Sequence, residues 1–331
     1  MKIFKRILSA LLCAFVVISP VGEIKASAEV ESIKLMCFGD SITDGYNFVG
    51  GYRYTLGNLL SENGYSSYVD FVGPNWGGNQ YDPQHAGYSG YTIADTPKRS
   101  GLTDFAEWIM GEYTPDVVML QIGTNDILDY YELDTIADRL ETLVDLVLAG
   151  LPEDGMLFLA TITTMDATNG LYIDQSYYTV ELMDATVDSY NDDIRALVAE
   201  KQSAGENIAL CDWDGIITKS DLYDGVHPTE SGYGKMGEHW YEILVNYMET
   251  GSTELPDDTQ TEVLYGDVNN DGVVNSIDAT ITVRAALNVL TLTDEQTVAA
   301  DVNGDGVVNS IDATIITRYA LKVLEQFPVE G

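Results

Sequence analysis

Ser41 stands where a nucleophile would: it directly follows an apolar run and opens a turn, in Phe38-Gly39-Asp40-Ser41-Ile42-Thr43-Asp44-Gly45. A hydroxyl attacks an acyl carbon only if a base takes its proton, and histidine titrates in the right range. The chain has 3 histidines. His239 falls in an amphipathic helical pattern and reads as structural, while His85 lies in a loop near Gly90 and can line a cleft. His227 is the stronger base, because Pro228 disfavours helical geometry at the preceding residue and so holds it just outside the last helix. Asp224, in the same loop, can accept a bond from its ring and fix the tautomer. Taken alone, His227 can also be a histidine packed at a helix N-terminus. The tetrahedral intermediate of acyl transfer further needs preorganised donors for its oxyanion. The N–H of Ser41, the N–H of Gly90 and the Asn125 amide are the candidates.

These groups must be brought to one place by the fold. Residues 29–249 alternate short apolar runs with longer amphipathic ones, the pattern of a parallel sheet covered by helices. Strands are predicted over 33–39, 68–72, 116–123, 156–162 and 207–213, and helices over 52–63, 102–111, 133–149, 180–201 and 229–248. Continuous runs such as Val117-Val118-Met119-Leu120 predict strands buried on both faces. In an open parallel sheet, ligands sit beyond the carboxyl ends of the strands. Ser41 follows the first strand, Gly87-Tyr88-Ser89-Gly90 lies after the second, Gly123-Thr124-Asn125-Asp126 after the third and Asp224-Gly225-Val226-His227 after the fifth. Each patch alone can be a turn, but their joint order along one rim predicts an acyl-transfer site.

The chain has 331 residues, with 16 Lys and Arg against 53 Asp and Glu, a formal charge of −37. Such a surface excludes nucleic acid and anionic membranes as partners and suits a neutral substrate and cations. Lys2, Lys5 and Arg6, an apolar segment over 7–18 and Ala26-Ser27-Ala28 predict that residues 1–28 are a secretory signal. The apolar run is short for a membrane anchor, so a secreted, extracellular protein starting at Glu29 is expected. Cys37 and Cys211 each lie inside an apolar, strand-like run and read as buried thiols.

Gly39-Asp40-Ser41, Gly90, Gly123-Thr124-Asn125-Asp126 and Asp224-Gly225-Val226-His227-Pro228 resemble the four sequence blocks of the SGNH, or GDSL, hydrolase superfamily. The resemblance covers almost all of 29–248. It implies a flavodoxin-like three-layer α/β/α fold with a five-stranded parallel sheet. It further implies Ser41 as nucleophile, Gly90 and Asn125 as oxyanion donors beside the Ser41 N–H, His227 as general base and Asp224 as its orienter. Within the superfamily the chain is most similar to carbohydrate esterase family 3, the acetylxylan esterases, through Gly50-Gly51-Tyr52-Arg53 and His85-Ala86-Gly87-Tyr88-Ser89-Gly90-Tyr91-Thr92. That similarity implies acetylated xylan or a related plant cell-wall polysaccharide as substrate, with no cofactor for catalysis. Where family patterns often show Glu-Gly-His-Ser-Gly-Trp, this chain has Ala86-Gly87-Tyr88-Ser89-Gly90-Tyr91. Trp76, Tyr81, Tyr88 and Tyr91 are candidates to stack on sugar rings, loop packing being the alternative. Rival readings are a lipid or aryl esterase of the same superfamily, disfavoured by the polar, tyrosine-rich stretch 73–99, and a noncatalytic glycan-binding module, disfavoured by the intact Ser41, Asn125, Asp224 and His227.

Residues 250–262 are small, polar and acidic and predict a linker. Beyond it, Asp267-Val-Asn-Asn-Asp-Gly-Val-Val-Asn-Ser-Ile-Asp278 recurs 34 residues later as Asp301-Val-Asn-Gly-Asp-Gly-Val-Val-Asn-Ser-Ile-Asp312, each copy running into an apolar helical segment, 279–290 and 313–324. Oxygen side chains around a glycine in a loop of about twelve residues form calcium-binding spacing. Asp267, Asn269, Asp271, Asn275 and Asp278 with the Val273 carbonyl, and Asp301, Asn303, Asp305, Asn309 and Asp312 with the Val307 carbonyl, would hold two structural calcium ions. The duplicated loop and helix, with no helix before either loop, resembles a type I dockerin over 263–327. The resemblance implies a cohesin domain of a scaffoldin as partner and attachment to a cellulosome. Ser276, Arg284, Ser310 and Arg318, at equivalent positions of the two copies, are candidate cohesin contacts.

Overall fold

Apolar runs that cannot face water on either side form the centre of the first unit. Strands β1 (Ile33–Gly39), β5 (Val117–Gln121), β6 (Met156–Ala160) and β7 (Ile208–Cys211) lie side by side and parallel, with β2 (Val69–Phe71) also parallel to β1. All five predicted strands are present, and two more extend the sheet: β3 (Asn75–Trp76) and β4 (Gln84–Gly87), giving the order β3-β4-β1-β5-β6-β7. β2 pairs with the first half of β1, through Ile33 to Leu35, and β4 with its end, Phe38 against Ala86 and Gly39 against Gly87. The sheet is therefore seven-stranded, not five-stranded. Gln84-His85-Ala86-Gly87 has no apolar run to announce a strand; it becomes one because β1 still offers backbone groups where β2 ends.

The structure is a computed structural model that describes residues 32–78, 82–253, 264–269, 273–287, 289–290, 292–324 and 326–330. The predicted secretory segment, residues 254–262 of the predicted linker, Tyr81 and Asp271 lie outside the described residues. The chain divides into two compact units, one up to Leu255 and one from Pro256.

Each central strand alternates its side chains between two cores. Met36, Phe38, Val118, Leu120, Leu157 and Leu159 face the layer of α3 (Thr103–Tyr113), α5 (Ile136–Gly150) and α6 (Val180–Ser203). Leu35, Cys37, Val117, Met119 and Phe158 face α2 (Tyr52–Glu62) and α7 (Glu230–Thr250). Two short helices, α1 (Ser41–Asp44) and α4 (Thr124–Leu128), start where β1 and β5 end. Cys37 and Cys211 are free, buried thiols.

In the second unit, α8 (Ser276–Ala286) and α10 (Ser310–Ala320) pack beside a small core of Val268, Ala279, Ala300, Val302, Ile316 and Phe327. Both helices start ahead of the predicted 279 and 313, because Asn275 and Asn309 cap them and Asp278 and Asp312 complete capping boxes. A third helix, α9 (Asp294–Ala300), precedes the second loop, which corrects the expectation that neither loop has a helix before it. Thr293 caps it through the Gln296 N–H, a signal readable in the sequence.

Candidate active site

The nucleophile candidate is presented by a one-turn helix whose start is built from Asp40. Its side-chain Oδ1 accepts the Ile42 N–H at 2.9 Å and so caps α1. The chain can turn this sharply only because Gly39 lacks a side chain: a Cβ there would lie 2.3 Å from the Gln121 carbonyl oxygen. Arg53, buried in α2, donates to the carbonyls of Thr43 (2.8 Å), Asp44 (3.1 Å) and Gly77 (3.0 Å). It thereby fixes the far end of α1, where a cation also suits the helix dipole.

Ser41 Oγ lies 2.9 Å from His227 Nε2, and His227 Nδ1 lies 2.9 Å from Asp224 Oδ2. Asp224 is itself immobilised: Oδ1 accepts the N–H groups of Val226 (3.1 Å) and His227 (2.8 Å), and Asn47 Nδ2 reaches Oδ2 at 3.4 Å. A carboxylate facing Nδ1 keeps the proton there, leaving Nε2 as the acceptor facing the serine. Burial lowers the His227 pKa below its ordinary value while Asp224 pulls the other way, so the ring is neutral at pH 7 and able to act as a base.

The three oxyanion candidates converge on the same rim. Gly90 follows β4 in a left-handed conformation, φ +84°, its carbonyl accepting Arg99 Nη1 at 3.2 Å. Asn125 sits in the first turn of α4 and donates one amide hydrogen to the Tyr91 carbonyl at 2.8 Å, which ties it to the residue after Gly90. Among the described residues, the N–H groups of Ser41 and Gly90 and the second hydrogen of the Asn125 amide have no protein acceptor.

Of the other sequence expectations, His85 departs from its reading, whereas His239 is structural as expected. His85 is buried rather than lining a cleft; its Nδ1 accepts the Gly87 N–H at 3.1 Å, and burial and Arg53 push its pKa down to about 3. His239 packs on Trp213, ring centroids 5.6 Å apart. Tyr88 and Tyr91 pack against each other and edge-on against Phe105 at the core, so the loop-packing alternative describes them, while Trp76 is 71% exposed on the edge strand.

The aromatic wall beside the site comes from residues the sequence did not single out. The Tyr46 and Tyr172 rings lie 4.4 and 5.3 Å from the His227 ring, and their hydroxyls bond each other at 2.6 Å. Beneath the site, Asp40 Oδ2 is buried near the Thr124 hydroxyl without forming a hydrogen bond that meets normal geometry. Burial raises the Asp40 pKa to about 7, with nearby Asp126 adding to the rise. Asp126, raised to about 6 by burial, accepts the Ile93 N–H (3.0 Å) and Arg139 Nη2 (3.1 Å), bracing α4 from below.

In the second unit, the loop carboxylates turn inward. Asp278 Oδ1 accepts the Val268 and Asn269 N–H groups, and Oδ2 that of Asn275. In the second copy, Asp312 Oδ2 accepts the Asn309 N–H, but Oδ1 is buried and unpartnered among the described residues, the Asn303 N–H approaching without completing a bond. Asp301 takes the N–H groups of Gly304, Asp305 and Gly306. Asn275 and Asn309 also donate to the Val273 and Val307 carbonyls. Among the described residues no three His, Cys, Asp or Glu side chains converge closely enough to grip a metal as they stand. The orphaned Asp312 oxygen and the hard, all-oxygen donor set nevertheless fit a divalent cation. Ser276, Arg284, Ser310 and Arg318 are exposed.

The fold and site together define an α/β protein that presents a Ser-His-Asp line at the carboxyl edge of a parallel sheet. Residues 35–240 match the model of the GDSL-like lipase/acylhydrolase family, and the chain belongs to that family. Residues 265–321 match the dockerin type I domain. A multidomain esterase of Ruminococcus flavefaciens is 35% identical over 292 residues, covering 80% of this chain and 36% of that protein; this chain thus spans about a third of its relative's length. Among solved structures, a family 3 carbohydrate esterase of Clostridium thermocellum is 28% identical, with a TM-score of 0.53, covering 66% of this chain and 98% of its own. A carbohydrate esterase family 3 structure from Talaromyces cellulolyticus shares the fold at 23% identity and TM-score 0.51, covering 66% of this chain and all of its own.

Proposed function

We propose that the chain is a secreted carbohydrate esterase that removes acetyl groups from xylan or a related plant cell-wall polysaccharide and is carried to it by its dockerin. The observation that carries the enzymatic reading is the continuous hydrogen-bonded line Ser41–His227–Asp224 with free N–H donors beside it. His227 Nε2 takes the Ser41 proton as Oγ attacks the acetyl carbon. The N–H groups of Ser41 and Gly90 and the Asn125 amide hold the oxyanion. The protonated His227, oriented by Asp224, then gives its proton to the leaving sugar oxygen, and a water activated by the same ring releases acetate from the acyl-enzyme. The family 3 relative supports a carbohydrate ester as substrate.

In the second unit the loops starting at Asp267 and Asp301 would each hold one calcium ion through Asp267, Asn269, Asp271, the Val273 carbonyl, Asn275 and Asp278, and through Asp301, Asn303, Asp305, the Val307 carbonyl, Asn309 and Asp312. Calcium there would neutralise carboxylates that otherwise repel one another around a small core. A cohesin domain is the partner this unit suits, with the exposed Ser276, Arg284, Ser310 and Arg318 as contacts. Substituting Ser41→Ala should lower acetate release from acetylated xylan by about 10⁴-fold or more; a variant that keeps full activity would remove Ser41 as the nucleophile.

A further inference from the structure

An ester has two halves, and the geometry separates where each must lie. The carbonyl oxygen goes to the Ser41, Gly90 and Asn125 donors, which follow β1 and the two strands that flank it, β4 and β5. On collapse of the tetrahedral intermediate, the carbon–oxygen bond to the alcohol breaks and its electron pair stays on that oxygen. The proton held by His227 Nε2 moves onto it. The alcohol oxygen must therefore come within hydrogen-bond reach of Nε2, and whatever the alcohol carries must extend over the surface that flanks His227.

That surface is aromatic. Tyr46 follows α1 directly, its N–H bonded to the Ser41 carbonyl at 2.9 Å, so its ring is held by the nucleophile's own turn. Tyr172 arrives from the segment between β6 and α6, which is seated on the catalytic loop through the Asp166 N–H to the Gly225 carbonyl at 2.8 Å and anchored by the buried Ile173. The two rings meet edge-on, 84° apart, and are 37% and 40% exposed. Two aromatic rings set nearly at a right angle, with their joined hydroxyls exposed, offer both apolar surface and a polar edge, which matches a sugar ring with its C–H faces and hydroxyl rim; a simple alkyl alcohol would use only the apolar part.

We propose that Tyr46 and Tyr172 form the platform for the alcohol half of the substrate, the pyranose ring that carries the acetyl group. The inference rests on the esterase reading above and adds to it the residues that select the alcohol. Its test compares kcat/KM for an acetylated xylo-oligosaccharide with kcat/KM for ethyl acetate, whose alcohol has no ring. In Tyr172→Ala the ratio of the first to the second should fall about tenfold, mainly through KM on the oligosaccharide. Equal loss on both esters, or no change in the ratio, would overturn the platform while leaving the carbohydrate reading intact. Should Tyr172→Ala not fold, Tyr172→Leu keeps the bulk without the flat ring and is expected to lower the ratio in the same direction; an unchanged ratio there overturns the platform equally. A wild-type enzyme that cleaves ethyl acetate but not the oligosaccharide would remove the carbohydrate substrate itself, and the platform with it.

Discussion

Asp224 and Asp312 are both buried carboxylates close to the start of a helix, yet their surroundings differ in kind. Asp224 has four protein donors, Val226 and His227 backbone N–H groups, Asn47 Nδ2 and His227 Nδ1. Asp312 has the Asn309 N–H on one oxygen and no partner on the other among the described residues. Around Asp224 the first unit thus supplies the partners from within, joining segments as distant as Ser41 and His227, 186 residues apart, while Asp40 Oδ2 beneath the site stays unpartnered among the described residues. The second unit partners Asp278 from its own loop but leaves Asp312 Oδ1 without a partner among the described residues. A large core can order distant groups around one another, whereas the second unit buries only a small cluster, Val268, Ala279, Ala300, Val302, Ile316 and Phe327 among the described residues. The contrast supports a candidate active site assembled by folding from distant segments, and the proposal that a cation completes the second unit.

The sharpest way to break that contrast is chelation. Calcium removal should abolish the cooperative thermal transition of the second unit and its cohesin binding, while the first unit's transition and ester hydrolysis stay in place; loss of both together would show that the contrast is false. Within the first unit, the next largest effect is at the oxyanion donors. Asn125→Ala should reduce kcat by about 10²–10³-fold with KM little changed, measured on acetylated xylo-oligosaccharide. A loss confined to KM would place Asn125 in ground-state binding instead.

The smallest effect concerns the floor of the site. The Asp40 carboxyl, raised from the usual 3.8 to about 7 by burial, takes up its proton more readily in the folded than in the unfolded chain. Its stabilising contribution is therefore complete below the unfolded value and is lost as pH rises through about 7. Asp40→Asn can keep the cap on the Ile42 N–H and has no charge to bury. Thermal midpoints measured from pH 4 to 8 should show the variant gaining on the wild type as pH rises toward 8; parallel curves would contradict the assignment.

Much of the site was readable from local pattern. Ser41, Asn125, Asp224 and His227 follow strand ends or precede a helix, positions that periodicity, a proline and strand order reveal. The short strand Gln84–Gly87 was not, because its pairing depends on where a neighbouring strand stops. His85, expected to line a cleft, is instead buried with its Nδ1 accepting the Gly87 N–H, an arrangement that its loop-like sequence does not announce.

The order of chemical groups along the rim and the duplicated acidic loops follow from the chain alone, since each is written in runs of consecutive residues. Which aromatics flank His227 emerges only from the folded chain. Tyr88 and Tyr91, adjacent to Gly90 in sequence, turn into the core, while Tyr46 and Tyr172, 126 residues apart, meet over His227. Periodicity reports which residues share an element's face, but contact between loops depends on the path of the chain between them, and no local pattern encodes that path.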